Sequence, residues 1–277
     1  MSSPAGYEER YCLFLDILGF QSHVDDSVNR KLDLKNAMTF MRLKSALSGI
    51  YEEVNYRESI EVAGKSRLSS RRVSQFSDSV VVSYLKNELN GAGVSSMLFD
   101  IHRLQLRLVS SGILLRGAIS SGLLYHDEKL IFGPALNEAV ALEKLASYPR
   151  VIFEGQILDD AFLPRPHPKN RTLDASRSII SMAQMDFDGL YYIDYFNLHP
   201  DDFNEEWYEL YEYLGALRKL IRGLANKKDP SIKVKHSWLR TKFNLMAVQL
   251  EKSGFRKLGT HTIPEDDVSL FSEIKPF

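Results

Sequence analysis

Two aspartates stand where apolar segments meet turns. Asp16 follows the apolar run 10–15, and Asp78 lies between the β-prone segments 73–76 and 80–84, which predict a hairpin with Asp78 near its tip. Carboxylates at such places are uncommon unless they are hydrogen-bonded, paired or bound to metal. If the two strands are neighbours, the carboxylates converge, and Mg²⁺ or Mn²⁺ would relieve their repulsion. Each Asp merely capping a turn explains the same spacing equally well.

The tripeptide Leu18-Gly19-Phe20 directly after Asp16 adds a second, weaker signal. Successive backbone N–H groups in such a turn, or at the start of a following helix, can hold phosphate oxygens. Other chemistries lack their patterns: there is no Gly-x-Gly-x-x-Gly, no Gly-Lys-Ser/Thr and no Gly-x-Ser-x-Gly, and the seven histidines show no zinc spacing. The sequence therefore argues against Rossmann, P-loop and serine-hydrolase enzymes.

The elements that must position these residues are read from apolar periodicity. Strands are predicted at 10–15, at the hairpin, at 113–124, 129–132, 149–153 and 190–195; helices are predicted at about 31–56, 91–110, 134–146, 201–226 and 231–253. A Pro-rich loop is expected at 164–168, and residues 266–277 are expected to add an edge strand or a docking tail. Because a hairpin interrupts the alternation of strands and helices, the order favours an α+β fold with a mixed or antiparallel sheet over a doubly wound parallel one.

Composition limits the function classes. The 277 residues carry 35 Lys and Arg against 36 Asp and Glu, so a surface that coats nucleic acid is not expected. The single cysteine, Cys12, cannot form an intrachain disulfide and is expected to be a small buried hydrophobic residue. No signal-peptide pattern and no apolar run of about 20 residues is present, which predicts a cytoplasmic protein with no membrane association.

Four segments in order resemble the class III nucleotidyl cyclases. Segments 14–20 (Phe-Leu-Asp-Ile-Leu-Gly-Phe) and 76–79 (Phe-Ser-Asp-Ser) resemble that family's two metal-binding segments. Segment 115–122 (Leu-Arg-Gly-Ala-Ile-Ser-Ser-Gly) resembles the strand that the family places next. Segment 133–143 (Gly-Pro-Ala-Leu-Asn-Glu-Ala-Val-Ala-Leu-Glu) resembles its Gly-x-x-x-Asn-x-Ala-x-x-Leu-Glu helix. The resemblance covers roughly residues 10–195 and implies a ferredoxin-like cyclase core.

The resemblance implies a head-to-tail homodimer with active sites at the interface. Asp16 and Asp78 of one chain, helped by the Ile17 carbonyl, would bind two Mg²⁺ or Mn²⁺ ions. Asn137 of the other chain would orient the ribose. The ribose 3′-oxygen would then attack the α-phosphorus of a nucleoside triphosphate and expel pyrophosphate.

Two departures from the family pattern concern catalysis. Ser77 stands where the family usually has glycine before the second aspartate. Ala141 stands where the family has its transition-state arginine, so another cation is needed for the charge on the α-phosphate. Lys144 is one candidate, because 137, 141 and 144 share a helix face, and Arg116 is the other.

Two further departures concern the base. Purine cyclases have a lysine at the position of Ser74 and a polar residue at that of Leu130, so a purine edge would be left unpaired here. With the long helical C-terminal extension, this resembles the bacterial pyrimidine cyclases of the Pycsar anti-phage systems, which make cyclic UMP or cyclic CMP as a second messenger for a separate effector. A purine cyclase, a non-catalytic cyclase-like module and a metal-dependent phosphoester hydrolase are the alternatives.

The remaining expectations concern substrate contacts and domain limits. Leu18, Gly19 and Phe20 are predicted to contact the triphosphate, and Tyr51 is a candidate for stacking on a small base, although an ordinary helix aromatic explains it as well. Arg67, Arg71 and Arg72 precede the Asp78 hairpin; contacts to phosphate and a solvated loop are equally good interpretations. The cyclase domain is expected over 1–198 and the helical extension, packed on it, over 199–277.

Overall fold

The computed structural model describes residues 6–28, 34–55, 59–62, 65–88, 92–162, 182–198, 203, 207–258 and 261–277. The chain forms two compact units. The first comprises residues 1–104, 115–146 and 150–193; the second comprises residues 105–114, 147–149 and 194–277. The candidate site residues with described side chains all lie in the first unit. The predicted division at 198 and 199 stays a prediction.

The first unit is built on one large mixed sheet. Its strands are β1 (Glu8–Ile17), β4 (Arg72–Phe76), β5 (Ser79–Leu85), β6 (Leu115–His126), β7 (Ile131–Phe132), β8 (Val151–Phe153), β9 (Ala183–Met185) and β10 (Tyr191–Ile193). The order is β4-β5-β1-β6-β8-β10-β9, with β7 paired to β6. Only β6 and β8 pair in parallel among these strands, and the other pairs are antiparallel. The predicted α+β class with a mixed sheet is confirmed.

Five helices and a separate hairpin complete the described part of this unit. The helices are α1 (Phe20–Val28), α2 (Leu34–Asn55), α3 (Ala92–Ser110, which continues into the second unit), α4 (Pro134–Leu145) and α5 (Gly155–Phe162). Strands β2 (Ser59–Val62) and β3 (Lys65–Leu68) pair only with each other in the described residues.

The central strand β1 is buried on both faces, as its nearly continuous apolar sequence predicts. Its even-numbered side chains face α4, where Cys12 packs with Ala135 and Ala139. Its odd-numbered side chains face the opposite way, where Leu13 lies beside Ile101 of α3. Cys12 is fully buried, which raises the pKa of its thiol to about 12 and confirms it as a core residue. Asp16 is therefore the last α4-facing side chain of β1.

The second unit is mainly helical. It contains α6 (Trp207–Leu224), α7 (Pro230–Lys252), the short pair β11 (Lys257–Leu258) and β12 (His261–Thr262), a 3₁₀ turn (Glu265–Asp267) and α8 (Val268–Phe271). Asp229 caps α7 by accepting hydrogen bonds from two backbone N–H groups of its first turn. Trp238 packs against the rings of Tyr148 and Phe196. No helix in the described ranges is long and apolar enough to cross a membrane.

Several local predictions were wrong. Helix α1 was not predicted because its nine residues include only three large apolar side chains, Phe20, Val24 and Val28, and none of them is buried. Helix α5 was missed because eight residues are too short for a clear period. Residues 65–68, which include Arg67 and for which a solvated loop was one interpretation, form strand β3. Residues 265–271 form helical turns, so the edge strand expected near the end of the chain is wrong, whereas the buried side chains of Phe271 and Ile274 agree with the alternative of a docking tail. The predicted loop at 164–168 lies outside the described residues.

Arg150, directly before β8, forms ion pairs with the segment that connects β9 and β10, and these pairs provide a test of the fold. Its side chain is fully buried, donates to Asp186 at 2.6 Å and also pairs with Asp188. Arg150→Ala would leave the buried Asp186 carboxylate without its cation, so we expect a loss of about 3–5 kcal/mol in the free energy of unfolding. Urea titration measures it, with Arg256→Ala as the exposed control. A loss below about 1 kcal/mol would contradict this assignment.

Candidate active site

Sheet register brings the two predicted aspartates together. Asp16 pairs with Ser79 on β5 and with Arg116 on β6. Asp78 lies in the two-residue turn between β4 and β5, directly before Ser79, and its carbonyl accepts from the Ile17 N–H at 3.2 Å. Ser77 before it has a positive φ of 55°. Glycine would adopt that conformation freely, and serine adopts it here at some cost. The predicted hairpin with Asp78 at its tip is confirmed.

The carboxylates of Asp16 and Asp78 repel each other electrostatically. The pKa of Asp16 is raised to about 6, first by burial and second by the negative charge of Asp78; Glu143 adds to the rise and Arg116 opposes it. The side chains of Asp16 and Asp78 are also close enough to share a hydrogen bond when one is protonated. A site that raises the pKa of a carboxyl in this way favours a bound cation.

A buried glutamate, which the sequence analysis did not assign to the site, completes this cluster. Glu143 of α4 forms an ion pair with Arg116 Nε, while Arg116 Nη2 lies 3.5 Å from Asp16 Oδ2. Arg116 therefore bridges Glu143 and Asp16 on the α4 face of the sheet. The only sequence signal for Glu143 was its place at the end of the Leu-Glu pair in the cyclase-like helix segment.

The turn after Asp16 leads directly into a helix. Leu18 and Gly19 form the turn, Gly19 has a φ of +72°, and α1 begins at Phe20. The Gly19 carbonyl accepts from the His23 N–H at 3.1 Å, which is the first turn of α1. The first N–H groups of a helix have no partner within the helix and carry partial positive charge. The structure thus places a helix N-terminus two residues after the Asp16–Ile17 end of β1.

Helix α4 turns its predicted catalytic residues away from its own sheet. Ala135, Ala139 and Glu143 are buried against β1 and β6, whereas Asn137, Ala141 and Lys144 are exposed. Side chains two positions apart on a helix point about 200° apart, so Asn137 cannot face the sheet that Ala135 and Ala139 cover. The structure therefore brings Arg116 to the Asp16–Asp78 pair but does not bring Asn137 or Lys144 of the same chain to it.

Three further candidates have different outcomes. Tyr51 lies on α2 with 58% of its side chain exposed, so its contact with a base stays a prediction. Arg71 is buried and pairs with Asp100 and the Tyr84 hydroxyl, so the suggested roles in phosphate contact or as a solvated residue are wrong. Leu130 is exposed in the turn before β7.

The donor set fits a hard divalent cation. Among the described residues, no group of three or more His, Cys, Asp or Glu side chains could hold a metal, so the candidate ligands are two carboxylates and backbone oxygen. Oxygen-only sets with few protein ligands suit Mg²⁺ and Mn²⁺, which retain waters and share ligands with a substrate's phosphates. The raised pKa of Asp16 is the observation that supports such a cation.

Comparisons with known proteins give similar folds only. No family model and no curated protein sequence matches the chain. The adenylyl cyclase CyaB from P. aeruginosa is 12% identical with a TM-score of 0.45, over 68% of this chain and 94% of that one. The guanylate cyclase domain of RhGC from Catenaria anguillulae, in complex with GTP, is 13% identical with a TM-score of 0.37, over 69% and 98%. A class III adenylyl cyclase-like ATP-binding protein from Pseudomonas aeruginosa is 14% identical with a TM-score of 0.38, over 63% and 40%.

Proposed function

We propose that this protein is a nucleotidyl cyclase that converts UTP or CTP into the 3′,5′-cyclic monophosphate and pyrophosphate. The observation that carries the proposal is the Asp16–Asp78 pair: the guanidinium of Arg116 contacts Asp16, and α1 begins at Phe20, directly after the turn that follows β1. Carboxylates that hold divalent cations, a cationic side chain and free backbone N–H groups are what a triphosphate requires.

Asp16 and Asp78 would hold two Mn²⁺ or Mg²⁺ ions, with the Ile17 carbonyl as a further ligand. When bound, the ions would lower the pKa of the ribose 3′-hydroxyl and neutralise the triphosphate. The 3′-oxygen forms its bond to the α-phosphorus, and the bond from that phosphorus to the oxygen bridging to the β-phosphorus breaks. Pyrophosphate leaves with the electron pair, and the hydroxyl proton passes to water.

The N–H groups at Leu18, Gly19 and Phe20 would bind the leaving phosphates. They belong to the turn and first residues of α1, where backbone donors are unpaired within the helix. A positive φ at Gly19 makes this tight turn accessible at little cost. The same turn would keep the triphosphate beside the carboxylates.

Arg116 would stabilise the charge that develops on the α-phosphate, because Ala141 has no charged side chain with which to do so. Its guanidinium already contacts Asp16 and is held by Glu143, so it is positioned before a substrate arrives. Lys144 is the alternative cation, and it would act from a second chain because it lies on the outward face of α4.

The outward face of α4 supports a head-to-tail homodimer. Asn137 cannot turn to the aspartates of its own chain, so it would orient the ribose at the aspartates of a second chain. Phe76, two residues before Asp78, is 86% exposed, and Leu145 of α4 is 62% exposed. Phe76 thus lies near the aspartates and Leu145 near Lys144, and large apolar side chains exposed at such places are typical of an interface.

The absence of the purine-reading residues favours a pyrimidine. Ser74 and Leu130 stand where purine cyclases place polar groups that pair with the base, and Leu130 offers no side-chain hydrogen bond. As part of the same proposal, the cyclic product would be a cytoplasmic second messenger, read by a separate effector in anti-phage defence. Tyr51 would contact the base.

Incubating the purified protein with each of the four ribonucleoside triphosphates and Mn²⁺, followed by mass spectrometry, tests the proposal. We expect cyclic UMP or cyclic CMP as the main product. Cyclic AMP or cyclic GMP alone would refute the pyrimidine substrate. Nucleotide binding without any product would favour a non-catalytic module, and linear monophosphates would favour phosphoester hydrolysis.

A shared site predicts complementation between two inactive variants. Asp78→Asn and Asn137→Ala homodimers should each be inactive. Random mixing makes half of the dimers mixed, and each mixed dimer has one intact site of two, so the mixture should recover about a quarter of wild-type activity. Cyclase assays after co-refolding or co-expression measure this. A mixture as inactive as its components would refute the two-chain site.

A further inference from the structure

Positive charge is concentrated in one segment of the helical unit. Residues 213–250, which span most of α6, the turn after it and most of α7, contain nine Lys and Arg against one Asp. Because the whole chain has a net charge of −1, this segment carries +8 and the rest of the chain carries −9. The nine basic residues, which we call the basic surface, are Arg218, Lys219, Arg222, Lys227, Lys228, Lys233, Lys235, Arg240 and Lys242. The near-neutral total, from which no surface that coats nucleic acid is expected, thus conceals a strongly basic segment.

The side chains of the basic surface are exposed or half-buried. Arg218, Lys235 and Lys242 are half-buried, and the other six are exposed. Among the residues that the structure describes, no acidic side chain forms an ion pair with Arg218, Lys219, Arg222, Lys227, Lys228, Lys233 or Arg240. The one acid of the segment, Asp229, is engaged as the N-cap of α7, where it accepts from the Ser231 N–H at 2.7 Å. Within the described part of the chain, the positive charge of these seven residues is therefore not offset by direct ion pairs.

Three lysines of the basic surface lie where a helix dipole disfavours them. Lys227 and Lys228 precede the N-cap of α7, and Lys233 is the fourth residue of that helix. The N-terminus of a helix carries partial positive charge, which favours acidic side chains and disfavours basic ones. Local helix energetics therefore do not explain these lysines, and departures from local rules are typical of functional surfaces.

Two arginines of α6 repel each other on the same surface. Arg218 and Arg222 are one turn apart, and their guanidinium carbons lie 5.7 and 5.8 Å from the centre of the Phe277 ring. Like charges at this spacing destabilise a helix. Burial first, and the charge of Arg222 second, lowers the pKa of Arg218. Arg218 also donates to the main-chain oxygen of Glu273 at 3.0 Å, which fixes its guanidinium, and a bound anion would relieve the repulsion.

The spacing of the exposed charges fits a phosphate backbone. Lys233 and Arg240 are seven residues apart on α7, which places them on one side of the helix about 10 Å apart. Base pairs of a duplex rise about 3.4 Å each, so two such side chains can contact phosphates about three steps apart. Lys228, directly before the N-cap, extends this row of charges beyond the start of α7.

The other side chains of the segment favour a duplex over a membrane or a single strand. In this segment, which the structure describes throughout, the exposed large apolar side chains are Val234 and Leu245, and two such residues eleven positions apart are too few to enter a membrane. The rings of Trp238 and Phe243 are buried, so they cannot stack on the bases of a single strand. Contacts to phosphate alone can hold a protein on a duplex of any sequence.

We propose that the basic surface binds the phosphate backbone of double-stranded nucleic acid without regard to sequence. Arg218 and Arg222 would provide fixed guanidinium groups, and the lysines around the start of α7 would provide flexible point charges. The proposal involves no residue of the Asp16–Asp78 site, so it does not depend on cyclase activity.

Fluorescence anisotropy tests the proposal with the full chain and short labelled duplexes of DNA and of RNA, each in two unrelated sequences. We expect equal binding of the two sequences, which weakens about a hundredfold between about 50 and 200 mM salt, as for about four phosphate contacts. The duplex type that binds more tightly identifies the source of the backbone. No binding at about 50 mM salt, tighter binding of the separated single strands, or binding of phosphatidylserine vesicles in place of duplexes would overturn the proposal.

Lys228→Ala combined with Lys233→Ala separates this surface from the charge of the whole protein. The loss of two phosphate contacts should weaken binding about tenfold and reduce the slope of log K against log salt by about two. The matched control, Lys44→Ala with Lys129→Ala, also removes two exposed charges and should retain wild-type affinity and slope. Circular dichroism checks that both double variants fold, as expected for exposed side chains. Equal weakening in the two double variants, or none in the first, would overturn the assignment to α6 and α7.

Discussion

Replacing Asp78 with asparagine is expected to reduce cyclic nucleotide formation by about a thousandfold while leaving the fold intact. Charge stabilisation through a bound ion is worth several kcal/mol, and each 1.36 kcal/mol corresponds to about tenfold in rate. Asparagine keeps the shape of Asp78 but halves the negative charge of the pair. Rates with saturating Mn²⁺ measure the effect, with Asp159→Asn, at an exposed position of α5, as the control. Full activity in Asp78→Asn would refute the metal assignment.

Asp78→Asn should also make the stability of the protein depend less on pH. In wild-type protein the folded pKa of Asp16 is about 6, above the ordinary value of 3.8, so the folded state holds this proton more tightly than the unfolded state. This contribution to stability is present below pH 4 and is lost as the pH rises through 6. Asp78→Asn removes one cause of the shift, so its melting temperature should fall less between pH 4 and pH 7. An unchanged pH dependence would show that the carboxylates are not coupled.

Replacing Arg116 with alanine is expected to lower both the rate of cyclic nucleotide formation and the stability of the fold. The change removes the cation that contacts Asp16 and pairs with the buried Glu143. We expect turnover to fall about a hundredfold, as for the loss of one charged contact to a transition state. We also expect a loss of roughly 2–3 kcal/mol in the free energy of unfolding, because Arg116 is partly exposed and a fully buried pair would cost more.

A second substitution separates the two roles of Arg116. Glu143→Gln in the Arg116→Ala background removes the unpaired buried charge, so stability should recover while turnover stays low. Arg116→Lys should retain stability and part of the activity. Recovery of turnover in the double variant would show that Arg116 acts only through the fold, which would contradict its placement at the α-phosphate.

The sequence could predict those features of the site that depend on strand ends. Asp16 and Asp78 follow or interrupt apolar runs, and such runs reveal where strands stop. Neighbouring strands then bring their ends together, which the β1–β5 register confirms. The mixed sheet was predictable for the same reason, since a hairpin between helices breaks a parallel order.

The features that were missed depend on pairing between distant residues. Arg71 lies in a polar stretch, and Asp100, the partner that pairs with its buried side chain, is 29 positions further along the chain. The hydrogen bond between Ser74 and His126 spans 52 positions and requires the register of several strands. In the sequence, Glu143 looks like any other helix glutamate. Its burial follows from the packing of the Ala135–Ala139 face of α4 against the sheet. Local periodicity holds no information about these contacts.

Product stoichiometry with a single substrate tests the central claim most directly. Wild-type protein with Mn²⁺ and UTP, or with CTP, should release one pyrophosphate for each cyclic monophosphate formed, and the parallel Asp78→Asn reaction should release neither above background. Inorganic phosphate or linear nucleotide in place of the cyclic product, or equal turnover by Asp78→Asn, would contradict the assignment of a nucleotidyl cyclase site to Asp16 and Asp78.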